Sequence, residues 1–443
     1  MSDAIGTGQD AAILRRAPFS ENPRVGTRGL RSQKRILDAA VQVFGELGYH
    51  QTGVIRITEV AGCSRAAFYQ YFSSKEDVFR HLAGDVAHQL MASTEALQEI
   101  TPDADGWKTL RTWIDEHAEI YARYEPVFQA FQAAAASDEA VASGAARIAT
   151  RQAAALRAKV PANTLPPRHV DAVLDVVLSS ITRTHRVSDV LRAALPNAAL
   201  PEDRVYTALT DVIHRTLFGL DEAVNVRKPP SQPLVRIRSR PALLESLQDD
   251  RIPTDLSPTS QRTLDALLEA AHEVLVTQGY HATRVDDIAT AAGVSHGAFY
   301  RYFENKDHIV RAVAVRAITR VGEAFAEIPD VVVAGGPSSS TALRRWLRRY
   351  ASTSASEAAM IRVWVDGAAD DPLQSLESAA ALDWGRTRLV RFLEPRGFGD
   401  VDTEALLFVV VLDALGAQRR SPAVIEAAAL IIERGLLGPV RAA

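Results

Sequence analysis

The sequence predicts an all-α protein made of two tandem units, and three observations carry that reading. The first is a repeat: GCSRAAFYQYF at residues 62–72 returns as GVSHGAFYRYF at residues 293–303. Sliding the chain by 231 positions lays residues 48–75 on 279–306 without a gap, and 15 of those 28 positions are identical. Self-similarity at a fixed offset marks a duplicated structural unit. The second is periodicity: Leu37, Ala40, Val41, Phe44 and Leu47 recur at helical spacing, as do Leu264, Leu268, Ala271 and Leu275. The third is what fills the rest of each unit. Alanine-rich stretches such as residues 129–158 favour helix, and no alternating run is long enough for a sheet.

Length agrees with duplication, because chains beyond about 250–300 residues usually divide into domains and this one has 443 residues. LRTW at residues 110–113 answers LRRW at 343–346, so the repeat extends past the quoted motif. Taken in order, residues 1–28 read as a disordered basic arm carrying Arg15, Arg16, Arg24 and Arg28. Residues 29–90 form a first head and 91–224 a first helical domain. Residues 225–258 are proline-rich and basic, without helical period, and read as a linker. Residues 259–320 and 321–443 repeat the head and the helical domain.

Composition excludes several classes. The net charge of −4 gives no global basic field, so any nucleic-acid surface is local. A single cysteine, Cys63, rules out an internal disulfide and a cysteine-rich zinc site, and fits a cytoplasmic location. Cys63 reads as a small packed hydrophobe. No secretory signal is evident, and the most apolar run, residues 406–417, is too short to span a bilayer. GVSHG matches a nucleophile elbow in letters, but a helix precedes it where that motif needs a strand. No acid, base, nucleophile or metal-ligand set is apparent, so an enzyme is not expected and neither is a cofactor.

Each repeated stretch reads as helix, tight turn, helix. In the first copy residues 54–61 form a short helix and Gly62 supplies a left-handed turn. Ser64 caps a second helix running to about Phe72, and SSKE at residues 73–76 predicts a capping box for a third. At 100° per residue Phe68 and Phe72 make the buried stripe, Ala66 and Gln70 lie opposite, and Tyr69 and Tyr71 flank it with hydroxyls outward. Small Ala66 and Ala67 let such a helix enter a major groove, hydroxyls hold phosphates, and Lys75 reaches another phosphate. The second copy keeps Phe299, Phe303, Tyr300, Tyr302 and Lys306. It exchanges Arg65, Ala66 and Gln70 for His296, Gly297 and Arg301. Because arginine suits guanine and glutamine suits adenine, the two heads are expected to prefer different half-sites.

The pattern T.V..I...AG.S..AFY.YF..K resembles the DNA-binding signature of tetracycline-repressor (TetR) family regulators, present twice. The tandem arrangement is similar to double-TetR repressors of actinobacteria, among them a repressor of a mycobacterial mammalian-cell-entry lipid-transport operon. The resemblance implies contacts to an operator in double-stranded DNA from Thr52, Ser64, Arg65, Ala66, Ala67, Tyr69, Gln70, Tyr71 and Lys75. In the second head it implies Thr283, Arg284, Ser295, His296, Gly297, Tyr300, Arg301, Tyr302 and Lys306. The chain departs from the family where a basic residue often precedes the turn: Ile55 and Asp286 stand there, and Asp286 is expected to repel phosphate. The resemblance also implies that the last two helices of each unit pair, here within one chain as an intramolecular pseudo-dimer, with a homodimer of whole chains as a further possibility. Aromatic clusters are the candidate lining for a small apolar effector such as a lipid, sterol or acyl thioester. In the first unit these are Trp113, His117, Tyr121, Phe128 and Phe131, and in the second Trp346, Tyr350 and Trp364. For any single aromatic, ordinary core is the bland alternative. The alternative for the whole chain is an architectural DNA-binding protein in which one degenerate head serves as a protein-interaction surface.

Overall fold

The computed structural model describes residues 27–162, 164–196, 199–230, 256–280, 282–328, 336–368, 372–417 and 421–438. The basic arm up to residue 26 and most of the linker lie outside the described residues. Every regular element among the described residues is helical. In chain order they are α1 (Thr27–Gln51), α2 (Val54–Val60), α3 (Arg65–Tyr71), α4 (Lys75–Ala96), α5 (Ala104–Ser137), α6 (Glu139–Arg157), α7 (Val170–Ala194) and α8 (Glu202–Phe218). The second copy supplies α9 (Pro258–Gln278), α10 (Val285–Ala291), α11 (His296–Phe299), α12 (Lys306–Ala326), α13 (Gly336–Ala368), α14 (Pro372–Leu393), α15 (Val401–Ala417) and α16 (Pro422–Leu430), which runs on as a π-helix (Ile431–Leu437).

The chain divides into two compact units. One contains the described residues up to His88 together with Arg123–Ala145; the other contains Gln89–Ala122 and the described residues from Ala146 onward. The chain crosses between them inside α4, α5 and α6, and at the α5 crossing Tyr124 leaves helical geometry two residues before Pro126. Proline in a helix interior removes a main-chain donor and crowds the preceding turn, so a kink there has a direct cause.

The first unit is built round a small aromatic core. Ile36, Ala40, Val43 and Phe44 of α1 are buried with Phe68, Phe72 and Phe79, and the Phe44 and Phe79 rings meet edge to face at 6.0 Å. Leu47, expected in the stripe, is 36% exposed. The buried face is set by Ile36 and Val43 instead, one position round from the face assigned by spacing. α1 is broken at Gly48, φ 72°, a backbone region glycine adopts without steric cost.

In the second unit, the second head repeats this core with Leu264, Leu267, Ala271, Leu275, Phe299 and Phe303. The larger core lies among the remaining helices. α7 and α8 pack on α14, α15, α16 and the π-helix, burying Val173, Val177, Leu209, Ile213, Leu407, Phe408, Val411 and Ile432 in one cluster. α8 and the π-helix approach closely at Gly435, where a Cβ would stand 2.4 Å from Thr216 Oγ1 and 2.7 Å from the Val212 carbonyl. Only glycine fits that crossing.

A buried charge cluster ties the same elements together. Arg215 of α8 is fully buried. It donates from Nε to the Gly435 carbonyl at 2.8 Å and from Nη1 to the Asn225 carbonyl at 3.0 Å. Its Nη2 lies 2.9 Å from Glu404 Oε1 of α15. The other carboxylate oxygen of Glu404 is 2.6 Å from Arg396 Nη1. Arg204 of α8 grips Asp400 with two bonds of 2.6 and 2.8 Å, and Arg183 of α7 pairs with Asp413 of α15. From the other side Arg434 of the π-helix donates to the Leu217 carbonyl of α8 at 3.1 Å.

Candidate nucleic-acid interface

The two heads show how their sequence places side chains. Gly62 turns with φ 60° and Gly293 with φ 66°, ending α2 and α10 sharply enough for α3 and α11 to start three residues later. Ser64 Oγ accepts from the Ala67 amide at 3.1 Å and Ser295 Oγ from the Ala298 amide at 3.2 Å. Both serines are therefore N-caps, as their residue type suggested. The third helix does not begin with the box that SSKE implied. Ser74 Oγ takes the Asp77 amide at 3.3 Å, while the Asp77 carboxylate takes the amide of Ser73, one residue before that cap, at 2.8 Å. Asp77 rather than Glu76 sits at the third helical position.

Phe68 and Phe72 are fully buried, and Arg65, Ala66, Tyr69 and Gln70 share the exposed face of α3. Ala67 is half-buried. Tyr69 and Tyr300 are 46% and 49% exposed. Tyr71 and Tyr302 turn inward instead: both are buried, and the Tyr302 hydroxyl donates to the Ser260 carbonyl of α9 at 3.2 Å. The expectation of symmetric flanking tyrosines misses this. The inner tyrosine lies on the side of the helix covered by the head's first helix.

Two further residues are redirected. Lys75 points at the end of α1, and its ammonium donates to the carbonyls of Tyr49, His50 and Thr52 at 2.8, 3.2 and 3.0 Å. An ammonium has three donors, so all are engaged inside the head, and burial pushes the Lys75 pKa down. Lys306 likewise donates to the Tyr280 carbonyl at 2.8 Å and lies over that tyrosine's ring. Thr52 and Thr283 are buried and donate to the Gly48 and Gly279 carbonyls at 2.7 and 2.8 Å. Thr52, Thr283 and Lys75 are engaged inside the head, and Lys306 makes one bond there.

The second head differs on its outer face. α11 is a single turn. Its continuation tightens to three-residue bonds, Arg301 N to Ala298 O at 3.3 Å and Tyr302 N to Phe299 O at 3.0 Å. Gly297 replaces Ala66 in that turn, and glycine costs about 1 kcal/mol of helix propensity against alanine. His296, Gly297, Tyr300 and Arg301 are exposed. Arg284 caps α10, with the Asp287 carboxylate accepting the Arg284 amide at 2.9 Å. Asp286 does not stand free: it accepts from His296 Nδ1, and the His296 ring lies 4.9 Å from that of Tyr300.

The candidate effector residues of the first copy are divided between the two units. Trp113, His117 and Tyr121 are buried in the second unit, whereas Phe128 and Phe131 are half-buried and belong to the first. The kink at Tyr124 separates them. Around His117 a polar network appears that spacing did not reveal. His117 Nδ1 donates to the Trp113 carbonyl at 3.1 Å, which leaves Nε2 to accept from Gln152 at 3.1 Å, and Gln152 also donates to Thr94 at 3.2 Å. His185 stacks on Tyr121 at 5.0 Å and shares a 3.2 Å bond with Tyr206. Burial pushes both imidazoles down to about 4. In the second copy Trp346 and Tyr350 are buried with ring centroids 5.4 Å apart, and Trp346 Nε1 donates to the Ala324 carbonyl at 2.9 Å. The Trp364 side chain lies outside the described residues. A cavity of about 10 Å³ among Val177, Ser180, Leu209, Val411 and Ile431 is no larger than one water needs.

Two capped helix-turn-helix heads, each followed by helices that pack into bundles, define a class of bacterial regulators. The family model "Bacterial regulatory proteins, tetR family" matches residues 36–82 and again 267–313. Among relatives, the HTH-type transcriptional repressor AcnR of Corynebacterium efficiens is 30% identical over 179 residues, 38% of this chain and 92% of its own length. The chain therefore belongs to the TetR family, and carries the family's N-terminal module twice. It is 38% identical over 71 residues to the HTH-type transcriptional regulator YdgC and 34% identical over 88 residues to the Fatty acid metabolism regulator protein, both of Bacillus subtilis. Those matches cover 16% and 20% of this chain, and span only 36% and 44% of those two relatives. Among the described residues no helix is long and apolar enough to cross a membrane, and no group of metal-ligating side chains assembles.

Proposed function

We propose that this protein is a ligand-responsive transcriptional repressor whose two heads, joined by one intramolecular bundle, read the unequal halves of an asymmetric operator. The observation that carries the reading is the packing of α7 and α8 on α15, α16 and the π-helix of the same chain, closed by the buried Arg215–Glu404 pair. A bundle satisfied within one chain makes one chain a pair of heads. The exposed Arg65, Ala66, Tyr69 and Gln70 would meet DNA in the first head, with His296, Gly297, Tyr300 and Arg301 in the second. Ser64, Ser295 and Arg284, at the helix starts, would lie against phosphates.

The effector would be a small apolar molecule held near Trp113, His117 and Tyr121 or near Trp346 and Tyr350. Its binding would shift α4 or α12 and change the spacing of the recognition helices, which must fit successive major grooves. A preference of a few kcal/mol for the released conformation suffices. The Bacillus relative named as a regulator of fatty acid metabolism supports lipid or sterol transport and metabolism genes as targets, a mammalian-cell-entry type operon among them.

The test is mass photometry of the full chain with duplex DNA from upstream of its own gene. One chain, or an even-handed pair of chains, on a discrete site is expected, with binding lost in both Tyr69→Ala and Tyr300→Ala. Loss in only one of them would favour the architectural reading, to which the one-turn α11 lends support, with the second head used for protein contact.

A further inference from the structure

The first residue of the recognition helix is Arg65 in one head and His296 in the other, and the two differ in more than size. Arg65 carries only donors, whereas an imidazole can donate or accept, according to which nitrogen holds the proton. In this protein that choice is made by a neighbour. His296 Nδ1 faces Asp286, the second residue of α10, at hydrogen-bond distance. The Tyr300 ring also lies near the imidazole, 4.9 Å between centroids. The corresponding position in the first head is Ile55, 57% exposed, which can make no such bond.

We infer that Asp286 is a positioning residue for base reading: it fixes the tautomer and orientation of His296, so that the second head reads a base that offers a donor, where the first head reads one that offers acceptors. An ionised carboxylate only accepts, so Nδ1 carries the hydrogen and Nε2 is left as an acceptor directed away from α10. In the major groove the donor edges are the amino groups of adenine N6 and cytosine N4. Arg65, by contrast, suits the N7 and O6 acceptors of guanine. The inference rests on the DNA-reading role of the second head.

The test is selection of bound sequences from a randomised duplex library by the full chain, followed by sequencing. Wild type is expected to select adenine or cytosine about five- to tenfold over guanine at one position of the second half-site, the scale of a single mismatched contact. Asp286→Ala and His296→Ala should both erase that preference to under about twofold, at that position alone. Asp286→Glu, still an acceptor only, should restore it, while Arg301→Ala should change a different position. Unaltered preference in Asp286→Ala, or a uniform loss across all positions, would overturn the inference and leave the parent reading standing. If the full chain selects no site at all, the parent reading falls and takes the inference with it.

Discussion

Replacing Glu404 by glutamine would remove the one carboxylate between two buried arginines. Glu404 is fully buried, with Arg215 at 2.9 Å and Arg396 at 2.6 Å. At an effective dielectric of about 20, each contact is worth about 6 kcal/mol before desolvation is counted. Most of that is offset by the cost of burying three ions, but removing one partner leaves the others uncompensated, which typically costs about 3–5 kcal/mol. At about 2–4 °C per kcal/mol for a large domain, the larger unit should melt about 6–20 °C lower. Circular dichroism during a thermal ramp measures it. A shift below about 2 °C in Glu404→Gln would refute the claim that this cluster closes the bundle.

Further predictions follow from the same geometry. His117 and His185 titrate near 4 when folded, below their ordinary 6.5. The unfolded chain thus binds protons first, so stability is full above pH 6.5 and falls as pH drops from there towards 4. Denaturant midpoints measured across that range should show the fall, and His117→Gln should flatten it. Lys75→Met should destabilise the first head by about 1–3 kcal/mol by leaving carbonyls unpaired, seen as faster hydrogen exchange near Thr52 rather than as a changed salt slope of DNA binding. Gly435→Ala should clash with Thr216 and the Val212 carbonyl and lower the melting temperature, and Thr216→Ala in the same chain should not rescue it, since the carbonyl remains.

Much of the fold was legible because its signals are local. Gly62, Gly293, Ser64 and Ser295 act through their own backbone and nearest amides, so residue type alone placed them. Phe68 and Phe72 were placed by angular spacing. What spacing could not supply was the identity of the surface each side chain meets. Tyr69 and Tyr71 look equivalent on a helical wheel, yet Tyr71 is buried and Tyr69 is exposed. Lys75 looks like a phosphate ligand until the carbonyls at the end of α1 are seen 26, 25 and 23 residues away in sequence. The charge cluster was illegible for the same reason: Arg215 and Glu404 sit in different copies, and neither copy contains the pair. The network of His117, Gln152 and Thr94 had one faint signal, a histidine and a glutamine within otherwise alanine-rich or aromatic helices. The split of Phe128 from Trp113 had another in Pro126.

The glycine at 435 and the arginine at 215 have a consequence for how such a chain can change. In a symmetric pair of identical subunits every substitution appears twice, so a new base preference must suit both half-sites at once. Here α8 and the π-helix are different sequences fitted to each other, and each head is inherited as a separate copy. On the proposed two-headed reading, a mutation at His296 or Asp286 would alter one half of the address and leave the other as it was. Fusing the halves would then make the target editable one side at a time.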